Sequence, residues 1–308
     1  MSDLILIGAL SSRHRDRVRD VCLQSNIPVY AEPLSGLRED EALRDLLVQN
    51  ERMLARGAFT RVIRIGNVPT LRFWRDLDEA QRNIDVVSYS DLPFAGLSRG
   101  AVKPIDELRA VRGERNEEFL AHDRNMSLRF EQILEEEPQS ELSIVRTLSG
   151  QIPERARIYL GNSLPIREWD LASTREPRGF TIEANRGANG IDGQLSTFFG
   201  WCAPGAKNWC IVGDLTAIYD FNAPWVVPQL DATFRIVIVH NGGGRIFSRV
   251  ASLRKLDGAV RERLIENAHD FNFGQWAAAW KIADHVVVLR PDPDASARAW
   301  KRYDDLWL

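Results

Sequence analysis

Two residues, each closing a strand-like run, could hold a metal ion between them. Asp214 ends "NWCIVGD" and Asn241 ends "FRIVIVHN", 27 residues further on. That interval leaves room for one helical crossover between neighbouring parallel strands. A carboxylate, an amide oxygen and a backbone carbonyl from the following glycine turn are hard oxygen ligands. They suit Mg²⁺ (or Mn²⁺), which keeps its remaining positions for phosphate oxygens and water. The glycines at 242–244 let backbone approach a phosphate closely, and helix N-termini at such turns add partial positive charge for a diphosphate. A lone Gly213–Asp214 is more often a helix cap. Its combination with Asn241 and Gly243, each beyond a strand, is the specific signal.

Those turns need a sheet to hold them. In the second half of the chain "ARIYL", "FTIEA", "NWCIV" and "FRIVIV" each lead into a polar or glycine-rich turn: "GNSLPIR", "NRGANGIDG", "GDLTAIYDFNA" and "HNGGGRIFS". In open parallel sheets ligands bind beyond the carboxyl ends of the strands, so the four turns should converge on one crevice. The first half has the same rhythm. "LILIGA", "IPVYAE", "RVIRIG" and "IDVVSYS" alternate with helical stretches, among them "EDEALRDLLVQNERMLA". The expected fold class is α/β with two parallel-sheet domains, residues 1–130 with a polar helical linker over 114–137, and residues 131–308.

Composition bounds the function. A chain of 308 residues, 44% hydrophobic and 27% charged, is ordinary for a soluble globular protein of about two domains. A net charge of -3 gives no electrostatic case for nucleic acid or an anionic membrane. No apolar run approaches the roughly 20 residues of a membrane span, and "MSDLILIGAL" lacks the basic start and cleavage site of a signal peptide. Cys22, Cys202 and Cys210 have no metal spacing and read as reduced residues of a cytoplasmic protein. The five histidines offer no metal cluster, and His122 and His269 read as surface or linker positions.

Taken together, "GDLTAIYDFNA…FRIVIVHNGGGRIFS" resembles the diphosphate-binding domain of thiamine-diphosphate enzymes. With "GNSLPIR" and "NRGANGIDG" the likeness narrows to the MenD (SEPHCHC synthase) family. It is strongest over about residues 140–250. It continues over 1–110, where "RVIRIGNVPTLRFW" resembles the family's middle, transhydrogenase-dIII-like domain. The resemblance implies a decarboxylase and carboligase that takes 2-oxoglutarate and transfers a succinyl carbanion to isochorismate, with thiamine diphosphate and Mg²⁺ (or Mn²⁺). It implies metal ligation by Asp214, Asn241 and the Gly243 carbonyl, and cofactor contacts from Gly187, Gly190, Gly213 and Leu215. Ile191 would support the bent cofactor, or simply pack. Arg186 and Arg167 would face the carboxylates of the donor; the alternatives are a turn contact and a helix-surface position. Asn162 and Ser163 would touch cofactor or substrate, or cap the next helix. Ile246 and Phe247 would wall the site, or belong to the core. Arg72 matches a basic substrate contact of the middle domain.

Two departures follow. Nothing in the chain resembles the family's pyrimidine-binding domain, which carries the glutamate that activates the cofactor, and His240 stands where the family usually has Asn. The expected arrangement is a split enzyme: this chain, inactive alone, with a separate chain bringing that domain and its glutamate, two copies of each. The alternatives are a related carboligase of secondary metabolism with another acceptor, a non-catalytic remnant that binds cofactor or partner, or a fragment of a longer enzyme.

Overall fold

The computed structural model describes residues 2–186, 190–250 and 252–308. The chain divides into two compact units: Met1–Glu136 with Arg175–Arg178 and Lys301–Leu308, and Glu137–Thr174 with Gly179–Trp300. Each is built on one all-parallel sheet of five strands, so the α/β expectation holds.

In the first unit β1 (Asp3–Ile7), β2 (Val29–Ala31), β3 (Arg61–Ile65), β4 (Asp85–Tyr89) and β5 (Val102–Lys103) lie in the order β2-β1-β3-β4-β5. Leu4, Leu6 and Val62 pack with Trp74 and Leu77 in one core. The alternate residues Ile5, Ile7 and Ile63 pack with Val18, Val21 and Cys22 in another. Burial of both faces is why these strands read as unbroken apolar runs. The helix expected over "EDEALRDLLVQNERMLA" does not form. A 3₁₀ turn at Glu41–Leu43, a parallel bridge from Val29 to Leu47 and a short helix Glu51–Leu54 replace it. The cause is capture of backbone donors by side chains. Asp40 caps the 3₁₀ turn through the Ala42 and Leu43 N–H groups, as it would a helix, whereas buried Asp123 captures those of Gln49 and Asn50 at 2.7 and 3.1 Å, donors that a continuous helix would use. Tertiary partners thus override helix propensity.

In the second unit β6 (Arg157–Leu160), β7 (Thr181–Glu183), β8 (Asn208–Gly213), β9 (Phe234–Val239) and β10 (Val286–Leu289) take the order β10-β9-β8-β6-β7. Leu195, Phe198 and Phe199 of the helix Gln194–Trp201 share a core with Tyr159, Cys210, Val212, Ile236 and Ile238. The chain leaves β6 for the edge strand β7 and returns to β8 on the other side of β6. The strand order therefore reverses between β6 and β8, the switch point at whose carboxyl ends open parallel sheets bind ligands. All three cysteines are unbridged. Among the described residues no helix is long and apolar enough to cross a membrane.

Candidate functional site

Asp214 stands where β8 ends and the helix Asp214–Tyr219 begins. Its carboxylate is buried, 2% exposed, and held from two sides. Oδ1 accepts the Leu215 N–H at 2.7 Å, and Oδ2 accepts the N–H groups of Gly242 and Gly243 at 2.8 and 3.0 Å. The glycine turn after β9 thereby wraps one oxygen of the carboxylate. Gly243 has φ 134°, and a Cβ there would lie 2.6 Å from the Glu266 carbonyl oxygen, so only glycine fits. The Gly243 carbonyl accepts the Arg245 N–H at 2.8 Å and keeps a second lone pair.

Asn241 is oriented by a residue far away in sequence. Its Nδ2 donates to both oxygens of Glu141, at 2.9 and 3.2 Å, while its Oδ1 is buried without a hydrogen-bond partner. Glu141 opens the helix Glu141–Gln151 and is 4% exposed. It shares a hydrogen bond with Glu168, which is 0% exposed on the helix Leu164–Ala172. Burial raises both acids above the ordinary carboxylate range. Glu141 reaches about 7, and Glu168 rises well above its usual value, pushed further by the Glu141 charge. Neither Glu168 oxygen meets an N–H donor. Burial beside a second acid favours the protonated form of Glu168.

Beyond β6, one side chain joins two of the turns. Asn162 Nδ2 donates to the Gly190 carbonyl at 2.8 Å, and its Oδ1 accepts from Arg186 Nη1 at 2.7 Å. Its backbone N–H donates to Gln194 Oε1, whose Nε2 also donates to the Gly190 carbonyl. Ser163 sits at φ 74°, ψ −128° and makes no side-chain cap bond, so it does not cap the helix that follows. A non-glycine residue there costs on the order of 1–3 kcal/mol, and such residues gather at functional turns.

The donors gathered here have the chemistry a divalent metal with diphosphate requires. Asp214 Oδ1 and the Gly243 carbonyl each keep lone pairs, and Asn241 Oδ1 is buried and idle. All are hard oxygens on the turns after two adjacent strands. The set fits. No family model matches the chain. It is 36% identical to the 2-succinyl-5-enolpyruvyl-6-hydroxy-3-cyclohexene-1-carboxylate synthase of Bdellovibrio bacteriovorus, over 99% of this chain and 62% of that protein. To the synthase of the same name from Akkermansia muciniphila it is 35% identical, over 94% of this chain and 56% of that protein. The chain is thus similar to MenD-type synthases. It spans about three-fifths of the length of the curated relatives it matches.

Several residues singled out from the MenD likeness take definite places. Arg186 is half-buried and turned onto Asn162, whereas Arg167 is exposed and donates to the Ser163 carbonyl one turn back, at 2.6 Å. Ile191 and Ile246 are half-buried and Phe247 is exposed. Gly187 lies outside the described residues. Arg72, in the first unit, is exposed and pairs with Asp76 at 3.5 Å. One expectation is overturned, since histidines do cluster at the site. His240 Nδ1 lies 3.1 Å and His269 Nε2 3.4 Å from Asp214 Oδ2, and the two rings stack at 5.2 Å. Asp214, His240 and His269 thus form a group with metal-ligand spacing, and His269 is neither a surface nor a linker residue. The Phe271 N–H donates to His269 Nδ1 at 3.2 Å, which leaves Nε2 as the protonated nitrogen facing the carboxylate. The histidines lie 29 positions apart, an interval that carries no ligand signature in sequence.

Glu141 and Glu168 were missed altogether. Glu168 left a trace: it falls on the stripe Leu164, Pro165, Trp169 and Ala172, every other member of which is apolar and buried. An acid on such a stripe needs a buried partner.

Proposed function

We propose that this chain is the diphosphate- and donor-binding part of a MenD-type decarboxylase and carboligase that uses thiamine diphosphate with Mg²⁺ (or Mn²⁺). The reading rests on one observation: Asn241 Oδ1 is buried and unpartnered beside the wrapped carboxylate of Asp214. Asp214 Oδ1, Asn241 Oδ1 and the Gly243 carbonyl hold the metal against the diphosphate. When bound, thiamine diphosphate supplies the electron sink on which a 2-oxoacid loses CO₂. The chain's own residues bind and orient. Arg186, held by Asn162, and Arg167, at the start of its helix, present planar guanidinium forks to the carboxylates of a dianionic donor, for which 2-oxoglutarate is the best fit. Ile191 supports the cofactor from the adjoining turn. SEPHCHC synthesis, the reaction in the relatives' name, is the proposed overall activity.

We further assign the pyrimidine-binding domain and its glutamate to a separate chain, in an assembly of two copies of each, within the cytoplasm. Exposed aromatics on the second unit support a covering partner: Tyr219, Phe221 and Trp225 are 59%, 40% and 71% exposed within seven residues of sequence. Unbridged cysteines agree with a reducing compartment. The test mixes this chain with a polypeptide carrying a family pyrimidine-binding domain and follows CO₂ release from 2-oxoglutarate and calorimetric binding of thiamine diphosphate with Mg²⁺. Turnover is expected in the mixture alone and should vanish with Asp214→Ala. Robust turnover by this chain without a companion refutes the split arrangement. Absence of cofactor binding in both samples refutes the function.

A further inference from the structure

We propose that Glu141 is a positioning residue for the metal site: it fixes the amide of Asn241 so that the oxygen, and not the nitrogen, faces the cation. The inference rests on the metal-binding reading above. A terminal amide has two nearly isosteric ends, and only its surroundings decide which end points where. Here the decision is made on the side away from the metal. Glu141 offers two oxygens to Asn241 Nδ2, at 2.9 and 3.2 Å, and an amide oxygen in that place would meet carboxyl oxygens and lose both bonds. The opposite end, Oδ1, is then left buried with no partner among the described residues. A buried acceptor without a donor is costly unless something else satisfies it, and a cation does so.

Glu141 is itself well placed for the task. Its own helix starts with Ser140 accepting the Ser143 N–H, so the first turn is anchored. The Glu141 N–H donates to Ser296 Oγ at 3.0 Å. Arg245, whose Nε donates to the Asn241 carbonyl at 3.1 Å, holds the backbone of the same residue. The amide is thus fixed at its backbone and its nitrogen, and only the oxygen is left to the ligand.

The test uses the chain with Mn²⁺ and inorganic pyrophosphate as probe, and electron paramagnetic resonance to count free Mn²⁺. Glu141→Leu removes the acceptor, Glu141→Gln keeps one in the side-chain carbonyl, and Asn241→Ala removes the ligand. Glu141→Leu and Asn241→Ala should each weaken Mn²⁺ binding by about tenfold or more, with Glu141→Gln close to wild type. The double variant Glu141→Leu/Asn241→Ala should bind no worse than Asn241→Ala alone, because Glu141 acts only through Asn241. A general structural role predicts additive losses and no rescue by Gln. Either additivity, or a Glu141→Leu protein that binds as wild type does, overturns the proposal. A wild-type chain that takes up no Mn²⁺ instead removes the metal reading beneath it. Thermal melting of each variant identifies any that has not folded, and in that event Glu141→Gln against Asn241→Ala carries the comparison.

Discussion

Replacing Glu168 by Gln should make the protein more tolerant of rising pH. Both buried acids have folded-state values raised above the ordinary 4.5, with Glu141 near 7. Their protons are retained in the fold and lost in the unfolded chain as pH climbs past that ordinary value. A carboxyl raised in the fold therefore gives its full stability below pH 4.5 and forfeits it as pH rises through the folded value. Each proton held only by the fold costs about 1.4 kcal/mol per pH unit in that window. From 4.5 to the value near 7 reached by Glu141, one proton amounts to roughly 3 kcal/mol. Glu168→Gln substitutes an amide of similar shape that still donates to Glu141 and has no proton to lose. The variant's stability should fall less steeply as pH rises above 4.5, with a difference from wild type that grows with pH. Urea unfolding of the cofactor-free chain, at half-unit steps of pH, reads this directly from the midpoints at a common slope. Parallel curves for the two proteins would refute the shared-proton account, because the slope would then come from groups elsewhere.

Further outcomes are expected. Arg167→Ala and Arg186→Ala, in the assembled complex, should each lower kcat/KM for 2-oxoglutarate about 10- to 150-fold, the worth of a charge-assisted bond. Pyruvate, which has no distal carboxylate, should be little affected; equal losses for both donors would assign the arginines to cofactor or structure. Asp214→Ala should weaken binding of Mg²⁺ with thiamine diphosphate by about tenfold or more through loss of an anionic, hydrogen-bonded ligand, while the fold persists. Calorimetry against Mg²⁺ with thiamine diphosphate decides that case.

How much was legible depended on whether the signal was local. Strands such as Asn208–Gly213 and Phe234–Val239 announce themselves because both faces are buried, which leaves an unbroken apolar run. The wrapped carboxylate at Asp214 was legible because its partners lie in the glycine turn of the next strand in space. The broken segment after Glu39 was not legible, since the donors that a helix would use are taken by Asp123, more than 70 residues away. The same holds for Glu141, which meets Asn241 across 100 residues, and for β5, whose two residues, Val102 and Lys103, are too few to show a period.

Asn162 has a consequence for how a ligand is received. One side chain bonds both the Arg186 guanidinium and the Gly190 carbonyl, so the guanidinium is oriented before anything binds. Ordering a long side chain of this kind costs entropy on the order of 1–2 kcal/mol, and the folding reaction has already absorbed it. A guest arriving at Arg186 finds its planar fork already aimed. Its association should accordingly be opposed by less ordering of the protein, and should register in calorimetry as a smaller entropic penalty than an unrestrained arginine would impose.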